Sequence, residues 1–426
     1  MKGKRMKDRL ESGIVNMSKR KDSKARVFFA LSAPEIAVLV LFAVVGVQGG
    51  THSLCREAAA FQAKLLEIGK GKSFVYAWST SSGNWTADGL KGFREKTGTD
   101  PLLYFVELNR SFGTWPEPKS AECNRARLAA TIRLEWVRRR AVPMATWHIE
   151  NPYAPPAWTD PKYGRTPMRY RYASKDYPQQ HRYLAREIVK GTGEPCGEGR
   201  IDGTKGPAFA NPRAWYLAQL DDLASFCAAL CDSDGRAIPI VLRLFHECED
   251  DWQWWGSGSA TPADYIALFR LSVERLREKN PVDNMLFCYS PNRYWKTLGE
   301  PQQDGFLTRY PGDDYVEMIG FDDYGLGKGD RTKTTAETVR KMRLVSEFGA
   351  VHGKICGLCE TGVKGSCDAF YTELHRAMTS PGVSFAFAAT YDGPWTFPET
   401  AAGKKDMSAF FDRAEVVSGK NAEAWK

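Results

Sequence analysis

Two short stretches hold the carboxyl groups best placed to do chemistry. The first is IPIVLRLFHECEDDWQWWG, Ile238 to Gly256. It opens as an apolar run rich in β-branched residues, as in a strand buried on both faces, and ends abruptly in charge and indole. Two-residue alternation puts Arg243, Phe245 and Glu247 on one side of such a strand and directs His246 elsewhere. The second stretch, KICGLCETG, ends a similar run at Glu360. One carboxylic acid that protonates a leaving oxygen and one carboxylate that meets an oxocarbenium-like carbon are what cleavage of a glycosidic bond requires. Taken singly, Glu247 also reads as an ion-pair partner and Glu360 as a cap on the following turn.

The elements that would position this pair recur along the chain. Apolar runs at Ser73–Ala77, Leu102–Val106, Val142–Trp147, Ile238–Phe245, Met285–Tyr289, Val316–Phe321, Lys354–Glu360 and Phe385–Tyr391 read as strands. Helical spacing appears between them at Asn124–Arg140, Asn211–Ala229, Thr261–Lys279, Thr334–His352 and Asp368–Met378. Eight buried strands alternating with helices predict an α/β fold, a closed (β/α)8 barrel, because parallel strands need crossovers and a ring has no edge. The competing open sheet lacks a glycine-rich GxGxxG turn after its first strand. About sixty residues separate the third strand from the helix near Asn211, so a long loop insertion after Pro152 is expected, with a short helix near His181–Lys190. The division is an N-terminal segment, residues 1–50, and one catalytic-sized domain, residues 51–426.

In such a barrel the working residues sit at the C-terminal ends of the strands. The third offers His148 and Asn151. The fourth offers Arg243, His246, Glu247 and Trp252, and the fifth Asn292 and Trp295. Asp322, Asp323 and Tyr324 follow the sixth, Glu360 ends the seventh, and Trp395 follows the eighth. Thirteen tryptophans, mostly in loops after apolar runs, suit a ligand with rings to stack on. Trp252 is expected to wall the cleft, with Trp254 and Trp255 packed beneath it.

Rival chemistries find less support. Asp250 stands where an HExxH motif needs its second histidine, and there is neither a GxSxG elbow nor a P-loop. The run Glu249-Asp250-Asp251 reads as a solvated loop rim rather than a calcium site. Cys356 and Cys359 form a CGLC pair that could be redox-active or half a zinc site, although buried small hydrophobes are the simpler reading. No metal or cofactor is expected.

The rim residues resemble the endo-β-1,4-mannanases of glycoside hydrolase family 26. RLFHECEDDWQWWG looks like that family's Arg-x-x-His-Glu segment with a tryptophan five residues beyond the glutamate. TWHIENP, YPGDDYVEMIGFDDYG, CETG and the late Trp395 follow the family's order. The resemblance implies a retaining mechanism with Glu247 as acid/base and Glu360 as nucleophile. It further implies that His246 and Trp252 flank the acid/base, that Tyr324 bonds near the nucleophile, and that His148 and Trp395 line the subsites. Arg243 is the cation expected to keep Glu360 ionised. Asn151, Asn292 and Asp323 complete the expected substrate-binding set. The acidic run after Glu247 departs from the family, so β-1,3-xylan and mixed-linkage β-glucan stand beside mannan as substrates, and a non-catalytic glycan-binding protein is the rival from another class.

Charge narrows the partners. The formal charge is +8, but residues 1–50 carry ten Lys and Arg against four Asp and Glu, which leaves +2 for the rest. That removes the main argument for a nucleic-acid partner. The basic run precedes a short apolar segment, Ile36 to Val47, and a small-residue exit near Gly46–Gly50, as in an export signal. A secreted or cell-envelope monomer acting on a polysaccharide is expected, with membrane attachment through an uncleaved N-terminal segment as the alternative.

Overall fold

The computed structural model describes residues 53–79, 87–109, 111–112, 118–154, 183–198, 207–278, 282–292, 296–297, 300–301, 303–364 and 368–425. They fall in one compact unit, His52–Lys426. The expected export signal lies outside them, as do Trp295 and much of the insertion after Pro152.

Eight parallel strands make the barrel: β1 (Phe74–Ser79), β2 (Leu103–Glu107), β3 (Val142–Thr146), β4 (Ile240–Arg243), β5 (Met285–Tyr289), β6 (Met318–Asp323), β7 (Ile355–Thr361) and β8 (Phe387–Tyr391). The ring closes where β8 pairs with β1, with Val75 opposite Phe387 and Ser79 opposite Tyr391. A ninth short strand, β9 (Val416–Val417), pairs in parallel with the start of β1, Phe74 opposite Val416 and Val75 opposite Val417. Every residue of β1 to β7 is buried, as expected of strands covered by side chains within the ring and by helices outside it.

The helices are α1 (Arg56–Lys70), α2 (Ala87–Thr97), α3 (Pro118–Arg139), α4 (Leu184–Lys190), α5 (Pro212–Ala228), α6 (Pro262–Glu278), α7 (Gln303–Leu307), α8 (Arg331–His352), α9 (Phe370–Met378) and α10 (Ala401–Phe411). Their starts follow local chemistry. Asn211 caps α5 by accepting from the Ala214 N–H at 2.9 Å, with Pro212 in the first turn. Asp330 caps α8 through the Lys333 N–H at 3.1 Å. The sequence reading has no counterpart for α1, although Ala58, Phe61, Leu65 and Gly69 are buried at helical spacing. Of the insertion, the described parts are α4 and an antiparallel pair, Cys196–Glu198 with Pro207–Phe209.

One strand departs from expectation in a way that matters. The fourth was expected to run to Phe245, but β4 stops at Arg243, because Phe245 and Glu247 adopt left-handed backbone, φ +49° and +52°. Alternation therefore ends early. Phe245 does not share the Arg243 side at the mouth; it packs among Trp254, Trp255, Tyr265 and Phe269 at centroid separations of 5.9 to 6.3 Å.

Close strand approach depends on glycine at Gly320 of β6, where a Cβ would stand 2.1 Å from the Gly357 carbonyl oxygen, and at Gly357 itself. A Cβ on Gly357 of β7 would stand 2.1 Å from the ring of Phe387 on β8. Gly357→Ala is expected to destabilise the fold by about 1–3 kcal/mol through overpacking. Urea denaturation monitored by tryptophan fluorescence measures this, and an unchanged midpoint would contradict the packing described.

Candidate active site

Arg243, the last residue of β4, organises the barrel mouth. It is fully buried, and its guanidinium bridges two carboxylates from neighbouring strands: Nη1 donates to Glu360 Oε1 at 2.7 Å, and Nη2 donates to Asp322 Oδ2. Burial opposes its charge, but Asp322 and Glu360 outweigh that and hold its pKa well above the ordinary value. Asp322 is held in turn by the Ser290 hydroxyl at 2.9 Å. A register shift between Phe321 and Asp322 sets Asp322 opposite Glu360, so the two carboxylates face one cation.

Glu360 receives two further donors. The Ser79 hydroxyl at the end of β1 reaches Oε1 at 3.3 Å, and the Tyr324 hydroxyl just beyond β6 reaches Oε2 at 2.7 Å. Burial, then the charges of Glu360 and Glu247, raises the Tyr324 pKa well above its ordinary value, so the phenol keeps its proton for this bond. Trp395 stands edge-on to Tyr324 at 5.1 Å. Gly362 admits it, since a Cβ there would lie 2.8 Å from Trp395 Cβ.

Glu247 has the opposite surroundings. Its side chain is partly exposed and accepts no hydrogen bond among the described residues. Burial of the carboxyl, then the charges of Glu360 and Asp250, pushes its pKa up to about 8 against the pull of Arg243. It is therefore a protonated acid at neutral pH beside a carboxylate that a guanidinium holds in place. His246 is buried, and its pKa is lowered well below the ordinary value by burial, then by Arg243 and His148. The two imidazoles meet edge to face at 4.7 Å, and His148 stacks on Trp252 at 6.3 Å. His148 is oriented by Glu107 at the end of β2, whose Oε2 lies 2.5 Å from Nδ1 and whose Oε1 accepts the His148 N–H at 3.0 Å. Trp254 and Trp255 form a buried floor, with indole N–H groups on Ile149 O at 2.8 Å and His246 O at 3.0 Å.

The structure thus brings Arg243, His246, Glu247, Tyr324, Glu360 and Trp395 to one mouth, with His148 and Trp252 beside them. Three expected residues are placed differently. Asn151 is buried, and its side-chain oxygen closes a turn onto the Tyr153 N–H at 3.0 Å. Asp323 points into the barrel wall, where Lys341 at 3.1 Å, Thr338 at 3.0 Å and the Gly325 N–H at 2.7 Å engage it. Alternation along β6 explains the exchange: Asp322 faces the interior, so Asp323 faces α8. Asn292 is buried and bridges to Asp322 through its backbone.

Sequence reasoning missed Ser79 and Glu107, each the last residue of its strand, a position that the same rim argument covers. It also took Glu249 for a solvated rim group, yet Glu249 Oε1 is sealed from solvent. Cys356 and Cys359 share no site: the first points at α8, with Sγ 3.5 Å from Val345 O, and the second lies 3.9 Å from the Cys288 sulfur. No cysteine among the described residues is disulfide-bonded.

Comparison with known proteins finds similarity to one family. Residues 212–375, which include Glu247 and Glu360, match glycosyl hydrolase family 26. A mannan endo-1,4-beta-mannosidase of Bifidobacterium adolescentis is 30% identical over 233 residues, 50% of this chain and 22% of that protein. One from Bacillus subtilis is 27% identical over 110 residues, 24% of this chain and 28% of that protein. The chain therefore spans less than a third of the length of these curated relatives. Among solved structures, the catalytic domain of a Bacillus sp. GH26 endo-beta-1,4-mannanase superposes with TM-score 0.67 at 20% identity, covering 88% of this chain and 94% of that one. A Cellulomonas fimi endo-beta-1,4-mannanase superposes with TM-score 0.65 at 21% identity, covering 87% of this chain and 77% of that one. At these identities the superpositions establish the (β/α)8 fold.

The raised Glu247 pKa has a consequence for stability. Between the ordinary value of 4.5 and about 8 the folded chain binds a proton at Glu247 that the unfolded chain has released. Folding stability from this group is therefore fully present below pH 4.5 and is lost as pH rises to about 8. Glu247→Gln is expected to remove that loss, giving a variant more stable than the parent at pH 8 and above. Thermal unfolding across the pH range measures it, and parallel pH profiles would contradict the assigned environment.

Proposed function

We propose that this chain, which resembles glycoside hydrolase family 26, is a retaining glycoside hydrolase that cleaves internal β-1,4-mannosidic bonds in mannans. The observation that carries the reading is the pairing of two glutamates in opposite surroundings: a protonated Glu247 with its pKa at about 8, and Glu360 met by Arg243, Ser79 and Tyr324. In the first half-reaction the Glu247 carboxyl gives its proton to the leaving glycosidic oxygen while Glu360 bonds to the anomeric carbon. In the second, the Glu247 carboxylate takes a proton from the water that displaces Glu360, so both residues return to their starting states. Arg243 and Tyr324 hold the nucleophile, and neutral His246 lets burial keep Glu247 protonated. Trp252, His148 and Trp395 offer ring faces and edges to sugars on either side of the cleaved bond. The mannosidase relatives support the substrate class, and the N-terminal basic and apolar segment supports export to where polysaccharides are met.

The test is a screen of purified protein on mannan, galactomannan, β-1,3-xylan and mixed-linkage glucan, with product length and anomeric configuration followed by NMR. Retained configuration and mixed oligosaccharides from mannan are expected. Turnover of the glucan or the xylan in preference would reassign the substrate, and tight binding without turnover would favour a glycan-binding protein. Glu247→Ala and Glu360→Ala should each lower kcat by about a thousandfold or more while leaving the circular dichroism spectrum intact. With Glu247 as the acid, kcat/KM falls as pH rises through about 8.

A further inference from the structure

The acidic run after Glu247 contains a buried carboxyl group that has no part in the proposed reaction. Glu249 turns back under the loop. Its Oε2 accepts the Asn292 N–H at 2.9 Å, while Oε1 is buried with no hydrogen-bond partner among the described residues. Asn292 ends the segment Ser290-Pro291-Asn292 that follows β5, and this segment lies between the two halves of the catalytic pair. On one side Ser290 O accepts the Glu247 N–H at 3.0 Å. On the other, Pro291 O accepts the Asp322 N–H at 3.0 Å and the Ser290 hydroxyl bonds Asp322 at 2.9 Å. Asp322 in turn holds Arg243, and Arg243 holds Glu360.

We infer that Glu249 is a positioning residue for the acid/base: its carboxylate clamps the Asn292 N–H, fixing the Glu247 loop to the Asp322–Arg243–Glu360 network. The inference rests on the proposed acid/base role of Glu247. Two observations favour a clamp over a packing role. Glu247 sits in left-handed backbone, a conformation costly for a non-glycine residue, which persists only where neighbours over-determine it. An apolar or amide side chain would fill the space equally well, yet a carboxyl is buried there with one oxygen unanswered. The groups facing Glu249 are Glu247, Cys248 and Asp250 of its own loop, Arg309 beyond α7, Tyr265 of α6 and Tyr289 of β5. Burial is the main cause that raises its pKa to about 7, with Asp250 adding to it and the Asn292 N–H and Arg309 opposing. The group is therefore about half ionised near pH 7, and its charge is a lesser cause, after burial, Glu360 and Asp250, that raises Glu247.

Glu249→Gln separates the two roles, because it keeps an oxygen for the Asn292 N–H and removes the charge. In this variant the Glu247 titration midpoint, followed by carbon-13 NMR of labelled glutamate side chains, should move down by about half a pH unit, and the basic limb of kcat/KM should move with it. Its kcat at pH below that limb should stay near the parent value. Glu249→Leu removes clamp and charge together and should lower kcat about tenfold with KM within about twofold of the parent. An unchanged Glu247 midpoint in Glu249→Gln, or a Glu249→Leu variant with parental kcat, would overturn the inference. The NMR titration needs no turnover, so a parent protein that hydrolyses none of the glycans would sink the proposed reaction while this measurement still decides the role of Glu249.

Discussion

A guanidinium sealed inside the barrel mouth is the constraint on which the rest of the site depends. Moving the Arg243 charge out of water costs several kcal/mol, and only well-aligned carboxylates offset it. Asp322 and Glu360 supply that alignment, and each sits at the end of a strand whose register is set by barrel closure. The same contact that makes Arg243 tolerable also aims Glu360. Loss of Arg243 would leave the Asp322 and Glu360 carboxyls facing each other with no cation between them, so the aim of Glu360 and the integrity of the mouth are one problem rather than two.

That arrangement polarises its surroundings. Because Arg243 is committed to Asp322 and Glu360, Glu247 experiences burial and a neighbouring carboxylate more than it experiences the cation. His246 meets the reverse situation and is kept neutral, first by burial and then by the charge of the same guanidinium. Two glutamates of identical chemistry thereby lie in opposite surroundings, Glu247 raised by burial and Glu360 met by Arg243, Ser79 and Tyr324. The aromatic floor of Phe245, Trp254 and Trp255 keeps water away from beneath the loop, and its indole N–H groups hold the carbonyls of His246 and Ile149. Packing and electrostatics are coupled here through the backbone of one short loop.

Much of this was legible in the amino-acid order. Eight strand-like runs, the placement of polar groups at their ends and the spacing of Arg243, His246, Glu247 and Trp252 depend on local periodicity and on which residue types can be buried. Those properties belong to the chain itself, and they were enough for the closed barrel and for the meeting of Glu247 with Glu360 at its rim. The start of α5 was equally local, since Asn211 caps the turn beside it, whereas α8 begins at Arg331, three residues before the expected Thr334.

Only tertiary structure decided which of two adjacent aspartates faces the interior: alternation puts them on opposite faces, and the placement of β6 in the ring turns Asp322 inward, opposite Glu360. It also ended β4 at Arg243, turning Phe245 into floor and leaving Glu247 on left-handed backbone. Glu107, Ser79 and Glu249 acquired partners more than forty residues away in sequence, on His148, Glu360 and Asn292. The physical reason is common to all of them: a carboxyl group reads as solvated from its neighbours in the chain, and becomes a buried, oriented group only when strands distant in sequence bring it a donor and exclude water.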